Sequence, residues 1–408
     1  MSTTLSPNDL HPTASTLMTR GEVRYRRTNI ALFLAGFATF SLLYCVQPLL
    51  PVFSQAFHVA PASSALSLSL ATGALAISIL CAAALSERAG RRELMFASMC
   101  ASAVLNMAAA LAPNWSTMLA LRTLEGFVLG GVPAVAMTYL SEEVNPKQLG
   151  HAMGLYVSGT ALGGMLGRVG TGILTEYMSW RPALAVMGAC GLAASIAFVT
   201  LLPPSRNFTR RVGLGARHHF AAWGTHLRNP ALPFIYMIGF TVMGAFVTVF
   251  NYAGYRLIEP PYNLNQTALG LIFSVYVFGV MSSSIAGGLA DRIGRRAVLP
   301  VGIGSLIVGV GLTLFAPLWL VFLGITFVTM GFFTAHAVAS GWVGQFARVD
   351  RGHATSLYLL SYYMGSSLCG SVGGWCWSAG GWPGVAAFVL GLLAIGLVCA
   401  ARLARLGR

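Results

Sequence analysis

Residues Ala290-Asp291-Arg292-Ile293-Gly294-Arg295-Arg296 repeat, 204 positions on, the run Ser86-Glu87-Arg88-Ala89-Gly90-Arg91-Arg92. Both runs are short, basic and broken by glycine, and each lies between long apolar stretches. The correspondence extends outward. His151-Ala152-Met153-Gly154-Leu155-Tyr156 matches His353-Ala354-Thr355-Ser356-Leu357-Tyr358, and Trp180 matches Trp382, both at an offset of 202. One long unit therefore occurs twice in the same order and orientation, a parallel duplication.

The composition says what the unit is made of. Of 408 residues, 56% are hydrophobic and 9% charged, against roughly 25% charged in a soluble domain. The 25 basic and 11 acidic side chains cannot cover a water-facing surface for this length. A soluble enzyme, a disordered tail and a fibrous protein are excluded. A helix crosses a bilayer with about 20 apolar residues, so twelve would use roughly 240 to 270. Apolar runs predict helices near 30–52, 64–86, 94–112, 116–139, 148–174 and 182–202, then near 231–254, 266–289, 297–315, 318–343, 353–375 and 382–404. Their abundant Gly, Ala and Ser suit close helix packing in lipid.

The expected architecture is an all-α polytopic membrane protein with 12 transmembrane helices in two six-helix bundles. Residues 1–29 form a tail, 30–202 the first bundle, 203–230 a polar linker, 231–404 the second bundle and 405–408 a short tail. With the N-terminus in the cytoplasm, 21 of the 25 basic residues fall in cytoplasmic segments. Only Arg181 and Arg256 fall outside, and Arg122 and Arg168 lie within spans. The positive-inside rule thus sets both termini in the cytoplasm, and the formal charge of +14 is a topology signal. The arginines are scattered over separate loops, so no nucleic-acid partner is expected. The polar stretch before the first apolar run is in the wrong order for a cleaved signal peptide. Seven cysteines lie in apolar runs without metal-ligand spacing, so neither a disulfide framework nor a metal site is expected.

Gly287-Gly288-Leu289-Ala290-Asp291-Arg292-Ile293-Gly294-Arg295-Arg296 resembles the loop signature of the major facilitator superfamily, and the resemblance covers essentially the whole chain. The copy from Ala83 to Arg92 departs from the signature, with Ala83 in place of Gly and Glu87 in place of Asp. Arg122-x-x-x-Gly126-x-x-x-Gly130 is similar to the family's second signature. Three further stretches resemble the YnfM-like inner-membrane transport proteins, a drug/H+ antiporter-like branch. They are Leu42-Leu43-Tyr44-Cys45-Val46-Gln47-Pro48, Met137-Thr138-Tyr139-Leu140-Ser141-Glu142-Glu143 and Ser361-Tyr362-Tyr363-Met364-Gly365-Ser366-Ser367. The fifth helix carries Gly159-x-x-x-Gly163-Gly164-x-x-Gly167-Arg168, where Gly164 replaces the antiporter signature's proline and Arg168 its final glycine. The resemblance implies a secondary transporter with a solute path between the halves, near the midplane.

Several residues carry the expected chemistry. Glu87 with Arg88, Arg91 and Arg92, beside Gly90, would form one cytoplasmic latch. Asp291 with Arg292, Arg295 and Arg296, beside Gly294, would form the other. The alternative is that these charges only set topology. Arg122 and Glu125 share a helix face, and a charge inside the bilayer is costly enough to face the bundle interior. Burial raises a carboxylate's pKa and a neighbouring arginine lowers it. Glu125 is thus a candidate proton carrier, or one member of a static pair with Arg122 or Arg168. Arg168 is a candidate for binding an anionic or hydroxyl-rich solute, or pairs with Glu125 or backbone carbonyls. Gln47 and Asn251, near the outer ends of helices one and seven, would complete a polar cluster. His336 could relay protons or hydrogen-bond within the bundle. Tyr358 and Tyr362 could line an aromatic pocket or only pack. Gly126, Gly130, Gly159, Gly163, Gly164 and Gly167 are expected to bring helices close together.

The function expected is proton-coupled efflux of a small organic molecule, a sugar or an amphipathic drug, by a multi-pass protein of the bacterial inner membrane. Uptake or exchange of an anionic metabolite is the alternative, and a receptor without transport is more remote. No cofactor is expected beyond a proton gradient as energy source. The expected partners are the solute, protons and membrane lipids, with the monomer as functional unit. No catalytic set for an intramembrane protease and no phosphate-binding loop of an ATP-driven pump occurs, so an enzyme is not expected.

Overall fold

The computed structural model describes residues 17–208, 216–347 and 349–406; the side chains of 83–89, 216 and 218 lie outside that description. The described residues form helices and no strand. The first half runs α1 (Val23–Tyr44), α2 (Leu50–Phe57), α3 (Pro61–Ala89), α4 (Arg91–Ala110), α5 (Trp115–Leu129), α6 (Pro133–Glu143), α7 (Pro146–Tyr177) and α8 (Trp180–Leu201). A linker helix α9 (Ala216–Leu227) follows. The second half runs α10 (Leu232–Ile258), α11 (Gln266–Leu271), α12 (Tyr276–Ile293), α13 (Arg295–Leu312), α14 (Leu318–Phe346) and α15 (Arg351–Leu406).

Ten of these helices or continuous helical segments are long and apolar enough to cross a membrane. At 32 residues, α7 is long enough but falls outside that set, since Arg168 and its many glycines dilute its apolar character. The 56-residue α15 is two limbs joined at Gly380 and Gly381, where the backbone leaves helical geometry. Pro383 sits just inside the start of the second limb, where a missing N–H costs nothing. Helices extend beyond the apolar runs at several ends. α1 starts at Val23, not 30, because Arg24 and Arg27 find acceptors in Glu143 and the Thr200 carbonyl.

Proline and glycine break the helices where side chains are needed. α1 stops at Tyr44, and a 3₁₀ turn over Gln47–Leu49, carrying Pro48, leads into α2. Proline lacks the N–H that would continue the ladder. α5 and α6 divide at 130–132, ahead of Pro133. The loop glycines confirm the duplication. Gly90 has φ 93° and ψ 145°, and Gly294 has φ 89° and ψ 144°. An L side chain is strained in that region, so the same tight corner is built from glycine in both halves.

α1 and α7 pack along a glycine ridge. Gly159, Gly163 and Gly167 lie against the backbones of Phe33, Phe37 and Ser41, where an added methyl would collide. Without a hydrophobic drive in lipid, such close backbone contact is what holds helices together. Gly365 lies against Phe240 in the second half in the same way.

Two features tie down segments expected to be loose. Part of the expected 1–29 tail lies outside the described residues, but Met18 is buried and its backbone bonds Glu143 and Asn145. The carboxylate of the fully buried Glu143 accepts from Arg24, from the Arg206 and Asn207 amides and from the Ser205 hydroxyl. The 203–230 linker is not wholly extended, since α9 docks on the start of α15. His219 Nδ1 lies 2.9 Å from His353 Nε2, and His226 lies 3.2 Å from the Asp350 carbonyl.

Candidate functional site

The first cluster lies inside the first half. Arg122 and Glu125 are fully buried and joined at 2.6 Å. Arg122 Nε donates to the Ser67 carbonyl at 3.2 Å and Nη2 to the Leu43 carbonyl at 2.7 Å. Nη1 also approaches the Leu42 carbonyl and Asn106 Oδ1 at 3.3 and 3.4 Å. The last carbonyls of a helix have no partner within it, and α1 ends at Tyr44. Arg122 thus caps the broken end of α1 and ties it to α3 and α4. Glu125 Oε1 is buried with no hydrogen-bond partner among the described residues.

The second cluster joins the halves. Arg168, only 2% exposed, donates Nε to Gln47 Oε1 and Nη1 to the Gly164 carbonyl, both at 2.6 Å. Its guanidinium carbon stands 4.0 Å from the ring centre of Tyr44, 5.0 Å from Tyr276 and 5.1 Å from Phe273. A cation over aromatic faces is held by their negative quadrupole. Gln47 Nε2 donates to Asn251 Oδ1 at 2.7 Å. The pairing of Arg168 with Glu125, one of the two alternatives, does not form; Arg168 makes no ion pair among the described residues. Gly164 also differs from its expected packing role. A β-carbon there would meet only Arg168 Nη1, at 3.2 Å, so this glycine clears room for the arginine.

Around this boundary the two halves close on each other. Tyr255 Oη donates to the Leu50 carbonyl at 2.8 Å and lies 2.7 Å from Ser54 Oγ. Gly172 lies against Gly270, and Gly374 against Ala62, too closely for a β-carbon. Among the described residues, inter-half hydrogen bonds cluster here, at the end opposite the chain termini, and at mid-depth, where Ser366 reaches Thr72.

An aromatic cluster lies beside it in the second half. His336 Nδ1 is 2.9 Å from Tyr358 Oη. The imidazole stacks on Phe332 at 5.9 Å and 7°, and lies 4.6 Å from the Tyr362 ring. Phe332 stacks on Phe246 at 3.9 Å. His336, Tyr358 and Tyr362 are thus brought together, and no carboxylate joins them among the bonds of the described residues.

The loop motifs at the terminus-bearing end are not symmetric. Glu87 and Arg88 have side chains outside the described residues, so their latch is not described. Arg91 holds Glu142 with both Nε and Nη2, at 3.2 and 2.7 Å, and Arg92 donates to the Val199 carbonyl at 2.5 Å. In the second copy Asp291 is exposed and makes no ion pair among the described residues. Arg295 instead donates to the Gly341 carbonyl at 2.7 Å, and Arg292 and Arg296 are exposed. The expected Asp291 latch does not form among the described residues.

The family model of the Major Facilitator Superfamily matches residues 32–259 and again 244–407. The chain belongs to this superfamily. It is 44% identical to the "Uncharacterized MFS-type transporter YybF" of Bacillus subtilis over 391 residues, 96% of each chain. It is also 44% identical to the "Inner membrane transport protein YnfM" of Escherichia coli over 95% of this chain and 92% of that one. Among solved structures, the superfamily fold is matched by a bacterial homologue of the human lysosomal transporter Spinster, in an inward-facing, unoccupied conformation. The TM-score is 0.75 at 13% identity, covering 94% and 97% of the two chains. A mutant of the nucleoside transporter NupG matches with a TM-score of 0.74 at 13% identity, over 93% and 100%. These relatives are transporters, not enzymes, and the chain is a multi-pass membrane protein of a transporter superfamily.

Sequence reasoning missed several participants. Tyr44, Tyr276 and Phe273 around Arg168 carry no polar signal that separates them from packing residues. Asn106 was one amide within an apolar run. The pairing of Gln47 with Asn251 did leave a signal, since the two stand at the 204-residue offset of the repeat.

Proposed function

We propose that this chain is a secondary transporter working by alternating access, with twelve spans, both termini in the cytoplasm, in the bacterial inner membrane. The count of twelve follows from adding α7 to the apolar helices and dividing α15 at Gly380 and Gly381. The side of the termini rests on the basic loops. The inner membrane is supported by the printed name of the E. coli relative. The reading is supported by the seal between the halves, tight at Gln47, Asn251, Leu50 and Tyr255, while Asp291 at the other end is exposed and without an ion pair among the described residues. In this orientation the seal faces outward and the protein is in an inward-facing state.

The transport we propose is proton-coupled efflux of a small organic molecule, a sugar or an amphipathic drug, with Glu125 as proton carrier. The two members of its ion pair are unequally held. Neutralising Glu125 removes Arg122's counter-charge but leaves the guanidinium bonded to three carbonyls and an amide oxygen, so its donors stay satisfied. Purified protein in liposomes with an imposed pH gradient tests this. Lumenal pH is followed while sugars, organic acids and cationic dyes are added. The expected result is a solute-triggered proton flux in the wild type that Glu125→Gln lacks. Counterflow without proton flux would overturn the coupling, and no counterflow at all would overturn transport.

Uptake or exchange of an anionic metabolite is a second reading. It is favoured by Arg168, a buried cation beside the inter-half boundary with no carboxylate bonded to it among the described residues. Anion counterflow insensitive to substitution of Arg122 and Arg168 would remove it.

A further inference from the structure

Gln47 and Asn251 hold equivalent places in the two repeats, and their side chains meet across the boundary. Their neighbours are not equivalent. At the offset of 202 that relates Trp180 to Trp382, the counterpart of Arg168 is Gly370. A symmetric pair of amides therefore has a guanidinium on one side and an absent side chain on the other.

The guanidinium sets the direction of the bond. Arginine only donates, whereas an amide side chain can present either end. Because Arg168 Nε donates to Gln47 Oε1, Gln47 must turn its nitrogen to Asn251, whose Oδ1 accepts. Asn251 Nδ2 is left buried and without a hydrogen-bond partner among the described residues. It lies close against Gly370, where a β-carbon would come within 3.1 Å of Nδ2 and 3.2 Å of Ser69 Oγ, so only glycine fits beside it. Ser69 Oγ is likewise buried and without a partner among the described residues. The polar chain thus runs from Arg168 in the first half, through Gln47, to Asn251 in the second, and ends where Asn251 meets Gly370 beside Ser69 of α3.

We propose that Gln47 is a positioning residue that carries the state of Arg168 to the seal. A solute presenting an acceptor oxygen, whether carboxylate, carbonyl or hydroxyl, takes Gln47's place on Arg168 Nε. Gln47 loses the partner that fixes its amide, turns away, and gives up the bond to Asn251. The seal is then weakened from the side on which the solute binds. This inference rests on the transport reading above. It deepens that reading by naming the group a solute must carry and the first inter-half contact it breaks.

The test measures the seal directly, apart from transport. Spin labels are placed at Tyr177 and Glu259, exposed positions on opposite halves at the sealed end, with the accessible Cys81 and Cys190 replaced by serine. Distances are read in full-length protein in phosphatidylethanolamine–phosphatidylglycerol liposomes, without solute and with arabinose, succinate or ethidium. Losing one net hydrogen bond should raise the longer-distance population about fivefold. Gln47→Leu and Asn251→Leu should both show this rise without solute. Asn251→Asp, which keeps an acceptor for Gln47, should stay closed, and shows that the site tolerates substitution. Arabinose or succinate should open the wild type; Arg168→Met, in which Gln47 has lost the partner that fixes it, should show the longer distances without solute and respond no further; ethidium, which lacks an acceptor oxygen, should not open the wild type. Wild-type distances in both leucine variants would overturn the relay, as would opening by ethidium but by neither oxygen-bearing solute. Absence of counterflow in the wild type would overturn the transport reading alone, and the solute-free distances would still judge the relay.

Discussion

Arg122 and Glu125 stand one turn apart on α5, and the 2.6 Å bond between them joins groups with unequal surroundings. The guanidinium meets five acceptors from α1, α3, α4 and α5, while one carboxylate oxygen meets none among the described residues. The arginine is therefore the structural member, and the carboxylate is the one that can be changed with the frame left standing.

That asymmetry gives an order of stabilities. Arg122→Met strips the caps from the Leu42 and Leu43 carbonyls and leaves Glu125 buried as an unpaired charge. Breaking a buried pair this way costs about 3–5 kcal/mol. Glu125→Gln keeps an oxygen that can face Arg122 and should cost about 1–2 kcal/mol, near the net value of one hydrogen bond. Thermal unfolding in detergent should rank wild type, Glu125→Gln and Arg122→Met in falling order. The double variant should lose clearly less than the sum of the two single losses, because either change alone already removes the bond between them. Equal losses in the single variants would contradict the asymmetry.

Two glycines three positions apart on α7 should answer differently to the same methyl. At Gly167 a β-carbon would lie 2.7 Å from the Ser41 backbone, so Gly167→Ala must push α1 away. Overpacking of this kind costs about 1–3 kcal/mol. At Gly164 the only neighbour within 4 Å among the described residues is the guanidinium end of Arg168, 3.2 Å away. Gly164→Ala should leave thermal stability near wild type and show its effect on solute affinity instead. Measuring both quantities for both variants checks the distinction.

Glu143 should control the start of the linker. Its carboxylate collects Arg24, the Arg206 and Asn207 amides and the Ser205 hydroxyl in one buried place. Glu143→Leu leaves those donors without an acceptor and should release residues 203–208 from α6. Limited trypsin digestion should then cleave after Arg206 several-fold faster than in the wild type. An unchanged rate would mean that the linker is held by other contacts.

The spans were legible because bilayer thickness writes itself into sequence as apolar length, and Arg91, Arg92, Arg295 and Arg296 marked the turns. The glycine ridge at Gly159, Gly163 and Gly167 was legible for a similar reason, since four-residue spacing stays on one helix face. Partner choice was not. Arg168 and Glu125 looked equally suitable for each other, and only the break in α1 at Tyr44 brings Gln47 to Arg168 instead. Glu142 and Glu143 lie next to each other, yet one takes Arg91 and the other Arg24, because adjacent helical positions face different neighbours. The docking of His219 on His353 needed α9, whose composition reads as polar linker.

Arg168 gives the sharpest test of the site itself, because lysine keeps the charge and discards the shape. The guanidinium bonds Gln47 and the Gly164 carbonyl through different nitrogens while its plane stands over Tyr44. A lysine ammonium is a point donor on a flexible stem and cannot hold both bonds and the aromatic contact together. If charge alone served the solute, Arg168→Lys would transport with near wild-type KM, and only Arg168→Met would fail. The geometry argues otherwise. Losing one oriented hydrogen bond and a cation–π contact, about 1 kcal/mol or more each, should raise KM in Arg168→Lys by about tenfold or more. The same variant frees Gln47 to present either end to Asn251, so the maximal rate should change along with the affinity. A rise in KM with an unaltered maximal rate would assign Arg168 to solute binding alone and detach it from the seal.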